Sequence, residues 1–351
     1  MNNESRRNQT GIQVLEHQDN KWMEFIEARP QANIFHHPAW MQLMHECYGY
    51  FPSILVVMDT NGNIRAGLPF MKVNSFLTGN RWVSLPFSDY CNPLYQDESA
   101  YKELTRQLVS MFRNGSLKKM EIRWGLPEQD DIQQVSQFVL HTIQLQPDPL
   151  QVSKHFKRTH LQNIRTAMER GVKVEFGDQL KHFKAFYNLQ LGTRKRHGVP
   201  AQPWNYFELL WEHIVKAGMG FVLLATYEGK YIAGMVYLGW GKTLIAKYAA
   251  SHQDYFTLRP NNLLFWEGIR WGCENGFSVF DMGRTEVENT GLRNFKSRWG
   301  AMEEPLRYSV LSSKQPRSSS GNLDRLLHYV IKRSPQWVCR LSGELLYRHV
   351  G

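Results

Sequence analysis

Leu55–Phe70 reads LVVMDTNGNIRAGLPF and Val222–Tyr237 reads VLLATYEGKYIAGMVY. Each gives an apolar run, a turn containing Gly62 or Gly229, and an Ala-Gly pair leading a second apolar run. Two half-buried strands around a glycine-bearing turn are the pattern of a β-hairpin. The stretches align at an offset of 167 residues, Ala66 against Ala233. A second correspondence follows downstream. Glu98–Gly115 and Asn261–Gly276 carry apolar stripes at helical spacing and both end in Asn-Gly, where a left-handed glycine closes a helix. Each then runs into a short strand, Lys119–Trp124 or Phe277–Met282, at an offset of 161 (Gly115 against Gly276). Two matched features in one order predict two copies of an α/β (α+β) unit: hairpin, helix, strand.

The chain's 351 residues suit two such units, and 42% apolar with 21% charged residues exclude a disordered chain. Pro147-Asp148-Pro149 is a rigid break between the copies. The expected organisation is a disordered start at 1–11, a first domain at 12–149, a second at 150–312, a linker at 313–322 and a helical tail at 323–351. In the tail, Leu323, Leu326, Leu327, Val330 and Ile331 fall at helical spacing, followed by Trp337, Val338, Leu341 and Leu345. Ser334-Pro335 opens the second of these runs as an N-cap and first helical residue would. Five basic residues (Arg325, Lys332, Arg333, Arg340, Arg348) face two acidic ones (Asp324, Glu344). A basic amphipathic tail either packs on its own protein or lies on an anionic membrane surface.

The start lacks the apolar core of a secretory signal, and no run nears the ~20 apolar residues that cross a bilayer. A cytoplasmic protein is expected, with peripheral contact at the inner face of the membrane open to it through the tail. The net charge of +10 suits an anionic partner. Four scattered cysteines form no CxxC pair, and His36-His37 is a poor geometry for one metal, so no metal site is expected. Neither a GxSxG elbow nor a GxxxxGK[ST] loop is present.

Cations cluster near the junction. Ser153–Gly171 reads as a helix bearing Lys154, Lys157, Arg158, Arg165 and Arg170, with Phe156, Ile164, Ala167 and Met168 available for burial. Gly192–Pro203 adds Arg194, Lys195 and Arg196 in what reads as a loop. A solvated charged face is the ordinary reading; an anionic ligand, nucleotide phosphate or RNA backbone, is the sharper one. Further on, Asp281 and Arg284 follow a strand and should stand at an open sheet edge, as ligand-positioning groups or as an internal ion pair. In an extended Leu292–Gly300, Lys296 and Arg298 share one face while Phe295 and Trp299 pack inward. Such cations would meet a ligand or a developing oxyanion.

The runs FDMGR (280–284) and GLRNFKSRWGA (291–301), with AKYAAS (246–251) and RPNNLLFWEGIRWG (259–272), resemble the second domain of the FemAB (Fem-type) transferases. IFHHPAWMQLMHECYGY, AGLPF and SLPFSDYCNPL match the first domain, so the resemblance covers about residues 12–312. It is stronger to members from cell-envelope and exopolysaccharide loci than to peptidoglycan bridge-forming enzymes, whose helical arm has no counterpart here. The resemblance implies two tandem GCN5-type (GNAT-like) acyltransferase domains that move an amino acid from aminoacyl-tRNA to an amine of a peptidoglycan precursor. It places the catalytic Phe-Lys pair on Phe295 and Lys296, a tyrosine on Tyr248 and a first-domain aromatic near the acceptor on Tyr90. Asn261, at the opening of the long helix, joins the substrate-binding residues. Where relatives carry an acceptor-phosphate arginine this chain has Leu161, so that role passes to Arg158 or Arg165.

A CoA donor needs a glycine-rich turn whose N–H groups cradle pyrophosphate. Here the second copy reads TLRPNN (257–262), with a proline that has no N–H, and the first reads the acidic QDE (96–98). The expected donor is therefore aminoacyl-tRNA, with no cofactor. The expected chemistry is direct attack of an amine on an activated ester, the oxyanion steadied by Lys296, with Tyr248 orienting the acceptor or relaying a proton. The alternatives are an N-acyltransferase using acyl-CoA or acyl-carrier protein in exopolysaccharide synthesis, and a non-catalytic RNA- or envelope-binding module.

Overall fold

The computed structural model describes residues 12–115, 118–313 and 328–350. The expected start at 1–11, nearly all of the linker, and Leu323, Leu326 and Leu327 of the tail lie outside the described residues.

Both hairpins form. β1 (Ile12–Leu15), helices α1 (Asn20–Glu27) and α2 (Pro38–Tyr48), and the antiparallel pair β2 (Phe51–Met58) and β3 (Ile64–Val73) open the first copy. It continues through β4 (Arg81–Val83), β5 (Leu94–Tyr95), α3 (Glu98–Asn114), β6 (Lys119–Ile122) and β7 (Gln133–Gln144). After α4 (Pro149–Ser153) and α5 (Arg158–Glu169) come β8 (Lys173–Gly177), α6 (Leu180–Arg196) and α7 (Trp204–Leu210). The second hairpin, β9 (Gly220–Tyr227) with β10 (Lys230–Trp240), leads to β11 (Thr243–Ser251), α8 (Pro260–Glu274), β12 (Val279–Glu286), α9 (Thr290–Ser297) and β13 (Met302–Ser312). Residues 328–333 are helical, and α10 (Gln336–Val350) starts one residue past Pro335.

In each copy the strand after the long helix runs parallel to a strand that precedes that helix: β6 beside β4, and β12 beside β11. The final strands then change sides. The sheet runs β1-β2-β3-β4-β6-β13-β7-β12-β11-β10-β9-β8, with β5 on β3. Thus β13, from the second copy, pairs with β6 of the first, while β7, from the first, pairs with β12 of the second. The core follows the same logic. Phe183, Phe186, Tyr206 and Phe207 of α6 and α7 are buried in one cluster with Trp40 and Met44 of α2.

Four local expectations change. The basic segment is helical only from Arg158, because the short α4 that Asp148 caps ends at Ser153 and the chain then breaks to bury Phe156 against Trp299. Ile164 and Ala167 are buried as the spacing requires, but Met168 is exposed. The 192–203 stretch is helical through Arg196, because Thr193 of α6 bonds the Ser251 backbone of β11; the loop begins only at Gly198. Gly276 takes a left-handed φ of +76° after α8, whereas Gly115 leaves α3 directly into extended backbone.

Candidate functional site

β11 and β12 pair only over Thr243–Ile245 and Val279–Asp281. Both strands continue, to Ser251 and Glu286, without further pairing to each other, so the sheet splays from within. This corrects the expected open edge: β12 lies between β11 and β7, and the opening is a wedge inside the sheet. A cavity of about 650 Å³ fills the wedge, lined by Lys247, Asn261, Gly283, Arg284, Phe295 and Lys296 among others. On its other side β12 bulges against β7 between Asp281 and Arg284. Gly283 carries that bulge with φ +70°, a backbone that side-chain-bearing residues rarely adopt.

Lys296 lies on a helix. Asn289 accepts a hydrogen bond from the Leu292 N–H and starts α9, so the extended reading of 292–300 is corrected. The helical turn sends Lys296 inward and leaves Arg298 exposed, outside the cavity lining. Trp299 packs fully into the core and Phe295 lines the cavity. The Lys296 side chain is 4% exposed, and its Nζ donates to the Gly283 carbonyl at 2.7 Å and to that of Arg284 at 3.4 Å. Burial lowers its pKa to about 8, with the Asp89 and Asp281 charges opposing. The bulge therefore supplies the carbonyl that holds the ammonium. His160 fixes the neighbouring backbone: Asn262 Nδ2 donates to its Nδ1 (3.1 Å), and its Nε2 donates to the Phe295 carbonyl (3.0 Å). Arg293 forks onto Glu303 of β13 and pins the same helix from outside.

Beside Lys296 stands a charge cluster in which the expected Arg284 is joined by two residues that the motifs do not single out, Asp89 and Lys247. Lys247 Nζ donates to Asp89 Oδ2 at 2.9 Å, and Arg284 Nε lies 4.0 Å from Asp89 Oδ1. Burial pushes the Asp89 carboxyl up, but the two cations outweigh it and hold the pKa below its ordinary value. Arg284 also donates to the Tyr308 hydroxyl at 2.6 Å and covers the Phe138 ring. Asp281 is not its partner, which corrects the expected internal pair. The Asp281 carboxylate is fully buried and accepts from the Gly283 N–H (2.7 Å), and burial with the nearby Asp89 charge raises its pKa to about 6.

The other expected residues scatter. Asn261 lines the wedge, and its buried Oδ1 has no partner among the described residues. Tyr248 turns to the opposite face of β11 from the wedge, where its hydroxyl meets that of Tyr206 at 2.8 Å. Tyr90 is buried against Asp281, Phe35 and Trp124, behind the cavity. Arg158 and Arg165 lie on the exposed face of α5, away from it. Of the histidine pair, His36 is structural: its ring accepts from Asn33 N and donates to the Asn92 carbonyl. In the first copy, Asp97 caps α3 and pairs with Arg65 (3.2 Å), so a carboxylate sits where an anionic ligand would meet that helix. One signal for Lys247 was present in the sequence: it is the lone charge in the strand TLIAKYAAS.

Comparison with known proteins bears on the fold. Residues 154–297 match the acetyltransferase (GNAT) domain family. Two strains of Staphylococcus epidermidis carry a lipid II:glycine glycyltransferase that is 21% identical to this chain over 247 residues, covering 48% of this chain and 59% of the relative. The chain thus spans less than two thirds of the length of these curated relatives. Among solved structures, FemX superposes with a TM-score of 0.66 at 13% identity, covering 85% of this chain and 96% of FemX. A tandem GNAT protein from the clavulanic acid pathway gives 0.52 at 10%, covering 87% and 100%. The fold is that of a Fem-type tandem GNAT protein.

Proposed function

We propose that this protein is an acyltransferase that forms an amide bond on an amine of a cell-envelope precursor, taking its acyl group from aminoacyl-tRNA. The observation that carries this reading is Lys296: a buried side chain held by two backbone carbonyls at the floor of the wedge. The acceptor nitrogen attacks the donor carbonyl carbon, and the Lys296 ammonium stabilises the tetrahedral oxyanion. That attack forms the C–N bond; as the intermediate collapses the carbonyl is restored, the ester C–O bond breaks, and the nitrogen's proton passes to the departing tRNA oxygen, which leaves as a hydroxyl. No covalent enzyme intermediate is needed. A charged-tRNA donor is supported by the wedge mouth, where Arg196 and Arg259 meet the opening of α8 and no glycine cradle exists. The glycyltransferase relatives support an envelope acceptor.

Acyl-CoA or acyl-carrier protein is the second reading, favoured by the position of the wedge against the N-terminal end of a GNAT-family helix. Mass spectrometry after incubation with charged tRNA, with acyl-CoA and with amine acceptors separates them. Acyl product from charged tRNA alone supports the first; product from acyl-CoA alone replaces it with the second; no product with any donor leaves a binding protein.

Peripheral contact with the membrane belongs to the same reading. Among the described residues no helix is long and apolar enough to cross a membrane. α10 instead buries Cys339 and His349 on the protein, and at Gly343 it comes so close that a Cβ would overlap the Ala201 carbonyl. Its outer face carries Trp337 (62% exposed), Leu341 and Leu345 (65%) at helical spacing, beside Phe76 (81%), which meets His349 edge to face. Arg333, Arg340 and Arg348 flank this stripe, which suits an anionic bilayer. Replacing Trp337, Leu341 and Leu345 together by serine is expected to weaken binding to phosphatidylglycerol vesicles by about tenfold or more in co-sedimentation. Equal sedimentation of both proteins would assign the stripe elsewhere.

A further inference from the structure

A second cavity, of about 600 Å³, lies on the other side of the charge cluster. Asp89, Lys247 and Arg284 line it as well as the wedge, so these three side chains form a wall common to both chambers. Its remaining walls come from three distant parts of the chain: the loop after β4 with Phe87 and Ser88, the last turn of α6 and the segment after it with Arg194 and Gln202, and α10 with Leu346 and Tyr347. Tyr248 and Arg123 complete it.

Three independent features indicate a site built for a ligand. Four cations, Arg123, Arg194, Lys247 and Arg284, face it against one carboxylate, Asp89. Gln202 is 7% exposed, and its Oε1 has no partner among the described residues. A buried amide oxygen left without a donor is costly, and a ligand N–H or O–H would satisfy it. The loop is also held in an unusual backbone: Leu85 and Phe87 have φ of +59° and +61° without being glycine. Ser88 maintains that shape by donating to the Leu85 carbonyl (2.7 Å), and Arg123 by donating to the Ser88 carbonyl (2.8 Å). Backbone strain kept by such bonds concentrates at binding sites. α10 closes the chamber, since Arg194 donates to both the Pro200 carbonyl (2.9 Å) and the Tyr347 hydroxyl.

We infer that this second chamber binds the acceptor through an oxyanion, phosphate or carboxylate, with Arg194 and Arg123 as its partners and Gln202 accepting from a neighbouring donor group. The inference rests on the acyl-transfer reading for the word acceptor, and on the chamber alone for the ligand class. The anionic end of the acceptor then lies across the Asp89–Lys247–Arg284 wall from the wedge in which its amine reacts, and the tail helix is part of the binding site.

Titration calorimetry of the full chain with inorganic pyrophosphate, and separately with succinate, tests it without requiring turnover. Wild-type protein should bind one of the two, and which one identifies phosphate or carboxylate chemistry. Arg194→Gln should weaken that binding about tenfold or more, as loss of a charge-assisted bond does. Arg259→Gln, in the wedge, should leave it unchanged. Because Arg194 also ties α10, Leu346→Trp provides a second route: it fills the chamber, keeps every charge, and should abolish binding. Failure of wild type to bind either probe, or binding that is lost in Arg259→Gln and kept in both other variants, would overturn the inference. Binding as expected with no transfer from any donor would keep the chamber and remove the acyl-transfer reading.

Discussion

Lys296→Met is expected to lower turnover about 10²–10³-fold while leaving the fold as stable as wild type or more so. The two effects come from one fact. In the native protein an ammonium is buried against two carbonyls, and its pKa falls from 10.5 to about 8. That depression corresponds to roughly 3 kcal/mol of native-state cost at neutral pH. The folded pKa lies below the unfolded one, so the unfolded chain binds the extra proton between about pH 8 and 10.5. The cost is therefore fully present below about pH 8 and is relieved as pH rises through that window. Wild-type stability should gain from this group over that range, and the methionine variant should not. Activity should move the other way. If the ammonium steadies the oxyanion, kcat/KM falls about tenfold per pH unit above about 8, and Lys296→Arg moves that limb to higher pH. Thermal melts across the window and initial rates over the same range check both halves. A methionine variant with near wild-type turnover would remove the side chain from the chemistry.

The repeat was legible because its signals are local. A hairpin is written in strand alternation and a turn glycine, and the long helices are written in their apolar stripes. Lys296 was legible through the motif around it, but its setting was not. The stretch LRNFKSRWG fits two-residue alternation and a helical turn equally well, and only the Asn289 cap and the Phe156 contact with Trp299 decide for the helix. The exchange of β7 and β13 leaves no local mark, since each strand reads the same whichever partner it finds. Asp89 and Lys247 were missed for a related reason: they are 158 residues apart, and their pairing exists only once the two copies share a sheet. Arg158 and Arg165 show the converse. Their density along α5 suggested a ligand, yet both lie on its solvated face.

Asp89→Asn should be among the most destabilising single changes in the molecule, costing about 3–5 kcal/mol, because it strips Lys247 and Arg284 of their carboxylate without removing either charge. Lys247 has no other ion-pair partner among the described residues and is enclosed by the rings of Phe35 and Tyr248. Arg284 keeps Tyr308 and the Phe138 face, so most of the loss falls on the lysine. The same change reaches the reacting centre. The Asp89 charge holds the Lys296 pKa up and the Asp281 pKa up. Without it, the lysine loses its proton more readily and the falling limb of the rate profile should begin below pH 8, while Asp281 ionises at lower pH. A double change, Asp89→Leu with Lys247→Met, removes the charged pair together and should recover much of the lost stability, since apolar replacements of a buried pair are often neutral. It should not recover activity, because the wall between the two chambers would then carry one cation in place of three linked charges. Urea unfolding of the wild type, the single and the double variant gives the comparison directly. A single variant that unfolds at the wild-type midpoint would show that Lys247 finds a counter-charge elsewhere, and the shared-wall account of the two chambers would fail with it.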